Sequence, residues 1–258
     1  MMKSVELVVH DSRPDALEFA EKFSDQLEAA GISTSGDPDV VMALGGDGTM
    51  LAAVQRAIDL DIPVLGFNLG TIGFLSSVDV SDVDRVIEAL SSNDFLVSER
   101  SILHAKTKKG KAMGLNDVVV EKIDSQRLVQ LRVSIDDEPF LTYRCDGLIA
   151  ATPTGSTAYT FSSGGPLVDP EVEAILLSPV AAHSLFDRTM VLPANRTLKI
   201  IVERDRPVRV SVDKVDLGVL EEGDSVEVRT AAVTVRFLAL DVTSFPQSVT
   251  EKFGLAGL

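Results

Sequence analysis

Tryptophan is absent from this chain, aromatic residues make up only 5% of it, and there is a single cysteine, Cys145. The scarcity of aromatics argues against the stacking platforms on which single-stranded nucleic acids are held. One cysteine excludes an intramolecular disulfide and a cysteine-based zinc site, and it fits a reducing cytosol. Histidine is nearly as rare: His10, His104 and His183 are far apart in sequence, so no metal-ligand cluster is visible. Basic residues number 24 against 39 acidic ones, giving a net charge of −15. Such a surface repels nucleic acid and anionic lipid headgroups over a Debye length of roughly 8 Å. No apolar run approaches the roughly 20 residues needed to cross a bilayer. The apolar stretch Val5 to Val9 runs at once into His10, Asp11 and Arg13 and is too short for a signal peptide. A cytoplasmic protein without nucleic-acid or membrane partners is expected.

What is present is an alternation of two textures. At 258 residues and 45% hydrophobic content the chain can bury one large core or two modest ones. In the first hundred residues, short apolar runs at Val5 to Val9, Val40 to Leu44 and Ile62 to Phe67 alternate with helical patterns. The first helix is expected over Pro14 to Ala30, with Leu17, Ala20, Phe23 and Leu27 on one face and a stop at Gly31. Ser81 with Asp84 three residues on resembles a capping box for a helix through Leu90. This alternation predicts a Rossmann-like parallel sheet covered by helices over residues 1–98. From about Ser98 the pattern turns to β-branched alternation. A hairpin is expected from Leu128 to Ile135 and Phe140 to Arg144 about a turn at Asp136-Asp137. Further strands are expected at Leu198 to Glu203, Val208 to Val212, Ser225 to Arg229 and Val233 to Leu240. Residues 99–240 therefore read as a mostly antiparallel, β-sandwich-like domain, with a tail of about 241–258 packing back on the first. No linker separates the halves, so the fold class is an α/β domain followed by this β domain, with an active site expected in the cleft between them.

Two stretches carry chemistry. The run Val40-Val41-Met42-Ala43-Leu44 leads into Gly45-Gly46-Asp47-Gly48-Thr49, where a strand opens into a helix expected from Thr49 to about Leu60. Glycines let backbone approach a ligand, and N–H groups at a helix start suit an anion. A carboxylate in such a place repels phosphate unless it takes a proton from an attacking hydroxyl or helps hold a divalent cation. Phosphoryl transfer to a hydroxyl meets both conditions, although Asp-Gly is also ordinary turn chemistry. Neither the Gly-x-Gly-x-x-Gly fingerprint nor a Walker loop is present. The second stretch runs from Asp146 to Tyr159 and crowds Thr154, Ser156 and Thr157 around Gly155, hydroxyls suited to a sugar or pyrophosphate. Taken by composition it is also an ordinary Gly/Ser-rich loop.

In order and spacing these motifs resemble the NAD kinase family. The resemblance spans nearly the whole chain. It covers Gly45 to Thr49, the Asn68 to Phe74 loop, Asn116-Asp117, the Thr152-Pro153-Thr154-Gly155-Ser156-Thr157-Ala158-Tyr159 run, Gly164-Gly165-Pro166, and His183-Ser184-Leu185 with Arg188. The resemblance implies transfer of a phosphoryl group from ATP or polyphosphate to the 2′-hydroxyl of the adenosine ribose of NAD, with Mg²⁺ or another divalent cation. It makes Asp47 the base, with Gly46, Gly48 and Thr49 beside it at the phosphates. Asn116 and Asp117 would hold the ribose, the family more often carrying Glu at the second position. Thr157, Ala158 and Tyr159 would line the adenine side, with Phe74 closing over it, and Thr154, Thr160 and Phe161 belong to the same cofactor-binding stretch. Arg144, Asp146, Ser162 and Ala181 would face the nicotinamide end, partly across a subunit boundary, since a homodimer or homotetramer is implied. Asp213 aligns with an acidic residue near the site. No protein metal ligand is assigned. The glycine-aspartate loop is shared with diacylglycerol-like lipid kinases, and a dinucleotide sensor without turnover is the other alternative.

Overall fold

Strands that are apolar along both faces pair in parallel and need helices over them, and the N-terminal part of the chain is built this way. The computed structural model describes residues 2–10, 12–70, 73–76, 78–204 and 206–255. They fall into two units, Met1–Glu99 with Val235–Leu258, and Arg100–Thr234. Thr71 and Ile72 of the expected loop, Asp205 between the strands expected at Leu198 to Glu203 and Val208 to Val212, and the last three residues of the expected tail lie outside the described residues.

In the first unit β1 (Val5–Val9), β2 (Val40–Gly45) and β3 (Val64–Asn68) run parallel, Val5 opposite Val40 and Val41 opposite Val64. β2 is buried along its whole length. The crossovers are α1 (Pro14–Ala29) and α2 (Asp47–Leu60). A short β4 (Val78–Asp79) lies parallel to β3 and leads into α3 (Val83–Ser92). Phe23, Leu27, Met42, Leu44, Leu65, Phe67, Val86 and Leu90 share one core. Because β2 and β3 are in register, Gly45 and Asn68 stand side by side where the two strands end. Ligands gather at that carboxyl end in folds of this kind.

The second unit is antiparallel throughout. In chain order it contains β5 (Leu96–Thr107, entering from the first unit), β6 (Gly110–Gly114), β7 (Asp117–Lys122), β8 (Val129–Ile135), β9 (Glu138–Cys145) and β10 (Gly147–Ala151). A one-turn helix α4 (Tyr159–Ser162) precedes β11 (Ala174–Val180), β12 (Met190–Pro193), β13 (Thr197–Glu203), β14 (Val208–Val212), β15 (Val215–Leu220) and β16 (Ser225–Ala239, whose last residues belong to the first unit). One sheet has the order β12-β11-β10-β7-β14-β15, and β16, β13, β8 and β9 lie next to one another in the other. Strict alternation sends Leu198, Ile200 and Val202 of β13 and Val208, Val210 and Val212 of β14 into one core between the sheets, the β-sandwich that the alternating pattern predicts. After β16 comes α5 (Phe245–Lys252), whose N-cap hydroxyl, Ser244, accepts from the Gln247 N–H at 3.4 Å.

Several details differ from expectation. Leu17 does not join the buried face of α1 and is 45% exposed; Ala16 is fully buried in its stead, in the same core as Phe23 and Leu27. The capping box lies two residues earlier than Ser81/Asp84, using Asp79 and Asp82 around a 3-10 turn at Val80–Asp82. That box has the same carboxylate spacing, and it leaves α3 to start at Val83. The strands expected at Ser225 to Arg229 and Val233 to Leu240 are one continuous β16. Only Thr230, Ala231 and Ala232 separate them, none of which is a Gly or Pro that would break the ladder, and β-branched residues resume at Val233. α2 begins at Asp47, not Thr49, with Gly46 as its N-cap.

Candidate active site

The early start of α2 decides where the loop's carboxylate goes. Gly46 is extended, at φ −98° and ψ −171°, and the N–H groups of Thr49 and Met50 both donate to its carbonyl. Asp47 is thereby the first helical residue, its charge set at the positive end of the helix. Gly45 permits this turn: a Cβ there would lie 2.4 Å from Thr49 Oγ1. On the other side the carboxylate rests against Gly73, where a Cβ would lie 2.0 Å from Asp47 Oδ1. That oxygen is buried and accepts no hydrogen bond among the described residues. The other oxygen, Oδ2, is 3.9 Å from Lys252 Nζ on α5. Phe74 lies under the same ammonium, 4.9 Å from ring centroid to nitrogen, with Phe253 tilted against it at 6.0 Å. Asn68 Oδ1, opposite Gly45, is a second buried oxygen without a described partner. The first unit therefore places Gly46, Asp47, Gly48, Thr49 and Phe74 together, and it adds Asn68 and Lys252, which had no expected role.

In the second unit the Asn116-Asp117 turn is fixed by a closed set of hydrogen bonds. Asp213, held at φ 50°, accepts the Leu115 N–H at 2.8 Å on one oxygen and the Asn116 and Asp117 N–H groups at 2.9 and 3.2 Å on the other. Thr152 donates its hydroxyl to the Leu115 carbonyl at 2.5 Å and accepts the Gly155 N–H at 3.0 Å. Its own N–H donates to the Asn116 carbonyl at 2.9 Å. Gly155 sits so close to that carbonyl that a Cβ would come within 2.1 Å of it. Asp213 thus spends its carboxylate on the backbone N–H groups of Leu115, Asn116 and Asp117.

The hydroxyl-rich run folds as a 3-10 turn, Thr154–Thr157, followed by α4. Thr157 donates to the Thr154 carbonyl at 3.0 Å, and Ser156 bridges the Val168 N–H and carbonyl. Thr154 and Thr160 are buried with hydroxyls that have no described partner, whereas Tyr159 and Phe161 are each 39% exposed. Ala158 and Ser162 flank α4, and the Ser162 N–H reaches back to the Ala158 carbonyl at 3.4 Å. The Tyr159 phenol is raised above its ordinary value by burial first and then by Glu121, Asp146 and Asp117, so three carboxylates lie in its field. Asp146, between β9 and β10, accepts from Lys122 Nζ at 2.5 Å. Lys122 carried no sequence signal, because a lone lysine ending a strand marks nothing. Arg144 lines a pocket of about 140 Å³ with Arg204 and Arg206. Ala181, held at φ 46°, follows β11 near the Arg144 backbone, whose carbonyl accepts the His183 N–H at 2.7 Å. Cys145 is buried, its thiol pushed up to about 12, and is inert packing.

Asp117 is 6% exposed, and burial first, then the neighbouring Asp213, raise its carboxyl to about 7. Burial raises Asp213 too, a rise that its three backbone donors offset only in part, and those donors favour the charge on Asp213 and the proton on Asp117. The unfolded chain releases that proton near 3.8 and the folded chain holds it to about 7. Folding therefore takes up a proton between those values, and the stability tied to it is complete below the lower one and lost as pH rises through the upper. The melting temperature is expected to fall between about pH 5 and about pH 8, and Asp117→Asn is expected to shrink that fall. An unchanged fall in the variant would place the titrating group elsewhere.

Among the described residues no three His, Cys, Asp or Glu side chains gather as a metal cage.

The family model described as the ATP-NAD kinase N-terminal domain matches residues 10–95, and that of the ATP-NAD kinase C-terminal domain matches residues 115–240. An NAD kinase of Heliobacterium modesticaldum is 36% identical over 278 residues, covering 97% of this chain and 98% of its own length. NAD kinase 2 of Streptomyces avermitilis is 39% identical over 223 residues, covering 84% and 74%. Among solved structures, yeast NADH kinase complexed with NADH superposes with a TM-score of 0.89 at 26% identity, covering 100% of this chain and 89% of that one. The NAD kinase of Archaeoglobus fulgidus in complex with ATP superposes at 0.76 over 98% of each chain with 20% identity, a likeness of fold. With both domain models matched in order and a relative alike from end to end, this chain belongs to the NAD kinase family.

Proposed function

We propose that this protein transfers the terminal phosphoryl group of ATP to the 2′-hydroxyl of the adenosine ribose of NAD, giving NADP and ADP. The observation that carries the reading is Asp47 Oδ1, a buried acceptor without a described partner, held against Gly73 at the first turn of α2. A ribose hydroxyl is a poor nucleophile at neutral pH, and an oxygen so placed is an acceptor for its proton. The hydroxyl proton passes to Asp47 as the 2′-oxygen bonds to the γ-phosphorus. The bond from that phosphorus to the bridging oxygen breaks, and ADP leaves with the electron pair. The N–H groups opening α2 offset charge on the phosphates, and Gly46 and Gly48 admit them closely. A bound Mg²⁺ supplies further neutralisation of the transferred group.

In this reading Asn116 and Asp117 hold the ribose, their backbone fixed by Asp213 and Thr152. Thr157, Ala158, Tyr159 and Phe74 serve the adenine side, with Thr154, Thr160 and Phe161 in the same cofactor-binding stretch. Arg144, Asp146, Ser162 and Ala181 serve the nicotinamide end. A homodimer or homotetramer acting in the cytoplasm completes the proposal. Purified protein incubated with NAD, Mg²⁺ and ATP is expected to yield NADP, read with an NADP-specific dehydrogenase, and a parallel reaction with polyphosphate identifies the donor. Calorimetric binding of NAD with no NADP formed from either donor would replace the kinase with a dinucleotide sensor.

A further inference from the structure

The helix that ends the described chain delivers a cation to the base. Lys252, the last residue of α5, holds its ammonium 3.9 Å from Asp47 Oδ2 and 4.9 Å from the centroid of the Phe74 ring. The lysine side chain is only 25% exposed, while the carboxylate beside it is 42% exposed. Phe253, the next residue, packs its ring 6.0 Å from that of Phe74, so the lysine is anchored at its own end of the helix. A separation of 3.9 Å is the outer edge of an ion pair and longer than a charge-assisted hydrogen bond. Lysine, a point charge on a four-carbon stem, can move from such a contact to another anion without moving its backbone.

Two features make a second anion the natural destination. The chain carries a net charge of −15, which opposes approach of a polyanionic donor unless cations are set locally. Asp47 already has the positive end of α2 as its electrostatic complement, so one carboxylate does not exhaust the positive potential gathered here. In phosphoryl transfer the charge that needs neutralising lies on the oxygens of the group in flight, next to the base that accepts the nucleophile's proton.

We propose that Lys252 is a phosphate-binding member of the transfer site: it holds the Asp47 carboxylate in the resting protein and turns to the terminal phosphate of the donor when nucleotide binds. The exchange frees Asp47 to accept the ribose proton and places an ammonium on the oxygens that gain charge. Phe74 serves as the apolar guide over which the ammonium swings. This inference rests on the phosphotransferase reading, and its test begins from wild-type protein shown to make NADP, so failure of that reading is recognised first.

With active wild type in hand, Lys252→Gln and Lys252→Arg are compared. Lys252→Gln is expected to lower kcat by roughly 100-fold and raise the KM for ATP by about 10-fold, the size of effect that follows loss of one charge-stabilising group at a transition state. The KM and calorimetric Kd for NAD, and the melting temperature, are expected to stay close to wild type. Lys252→Arg, which restores the charge, is expected to recover most of kcat. Wild-type kcat and ATP KM in Lys252→Gln would overturn the proposal. Equal impairment of both variants with a lowered melting temperature would overturn it too, making Lys252 a structural fastener of α5.

Discussion

Gly155→Ala is expected to lower the melting temperature by roughly 6–12 °C and to abolish NAD binding. The added Cβ would lie 2.1 Å from the Asn116 carbonyl oxygen, 2.6 Å from its carbon and 2.8 Å from its Cα. All three are backbone atoms, so no side chain can turn aside. Asn116 cannot retreat either, because its N–H is held by Asp213 and its carbonyl accepts from the Thr152 N–H. Overpacking of this kind costs about 3 kcal/mol, which shifts a protein of this size by several degrees. Gly164→Ala is the control: its φ is +82° but nothing lies within 4 Å of the new Cβ. Only the backbone preference of glycine is lost there, about 1 kcal/mol. Thermal melts of both variants with NAD titrations check the comparison, and a Gly155→Ala melt no lower than that of Gly164→Ala would show the turn to be more pliant than its hydrogen bonds imply.

How much of this was legible in the sequence depends on whether the signal was local. The Asp136-Asp137 turn was readable because two aspartates between alternating strands favour left-handed backbone, and both have it, at φ 51° and 67°. The parallel sheet followed from short apolar runs separated by helical periods. Leu17 misled because helical periodicity gives an apolar stripe but not its edge, and the neighbouring Ala16 took the inward place. The break expected within β16 failed for a related reason: Ala231 and Ala232 interrupt the β-branched pattern, but a weak strand former does not end a ladder as Gly or Pro does. Of the site, Asp47 and the Thr154 to Tyr159 run stood out because glycines and hydroxyls crowd there. Lys252 did not, because it lies near the opposite end of the chain from Gly48 and a single lysine in a polar helix has no pattern. Asp213 was recognisable as a position but not in its role, since only the fold shows that its carboxylate faces backbone N–H groups.

Asp47 as the acceptor of the ribose proton is the centre of the proposed chemistry. Asn in its place keeps the shape against Gly73 and the position at the start of α2, yet it cannot take up a proton at neutral pH. A positioned carboxylate assisting proton loss contributes roughly 10²- to 10⁴-fold. Binding of NAD should survive, because the residues assigned to ribose, adenine and nicotinamide lie elsewhere in sequence. The decisive measurement is kcat for NADP formation by Asp47→Asn beside its calorimetric Kd for NAD. The expected result is kcat lower by about 10²-fold or more with Kd within a few-fold of wild type; near-normal kcat at unchanged Kd would remove Asp47 from the chemistry and contradict the mechanism.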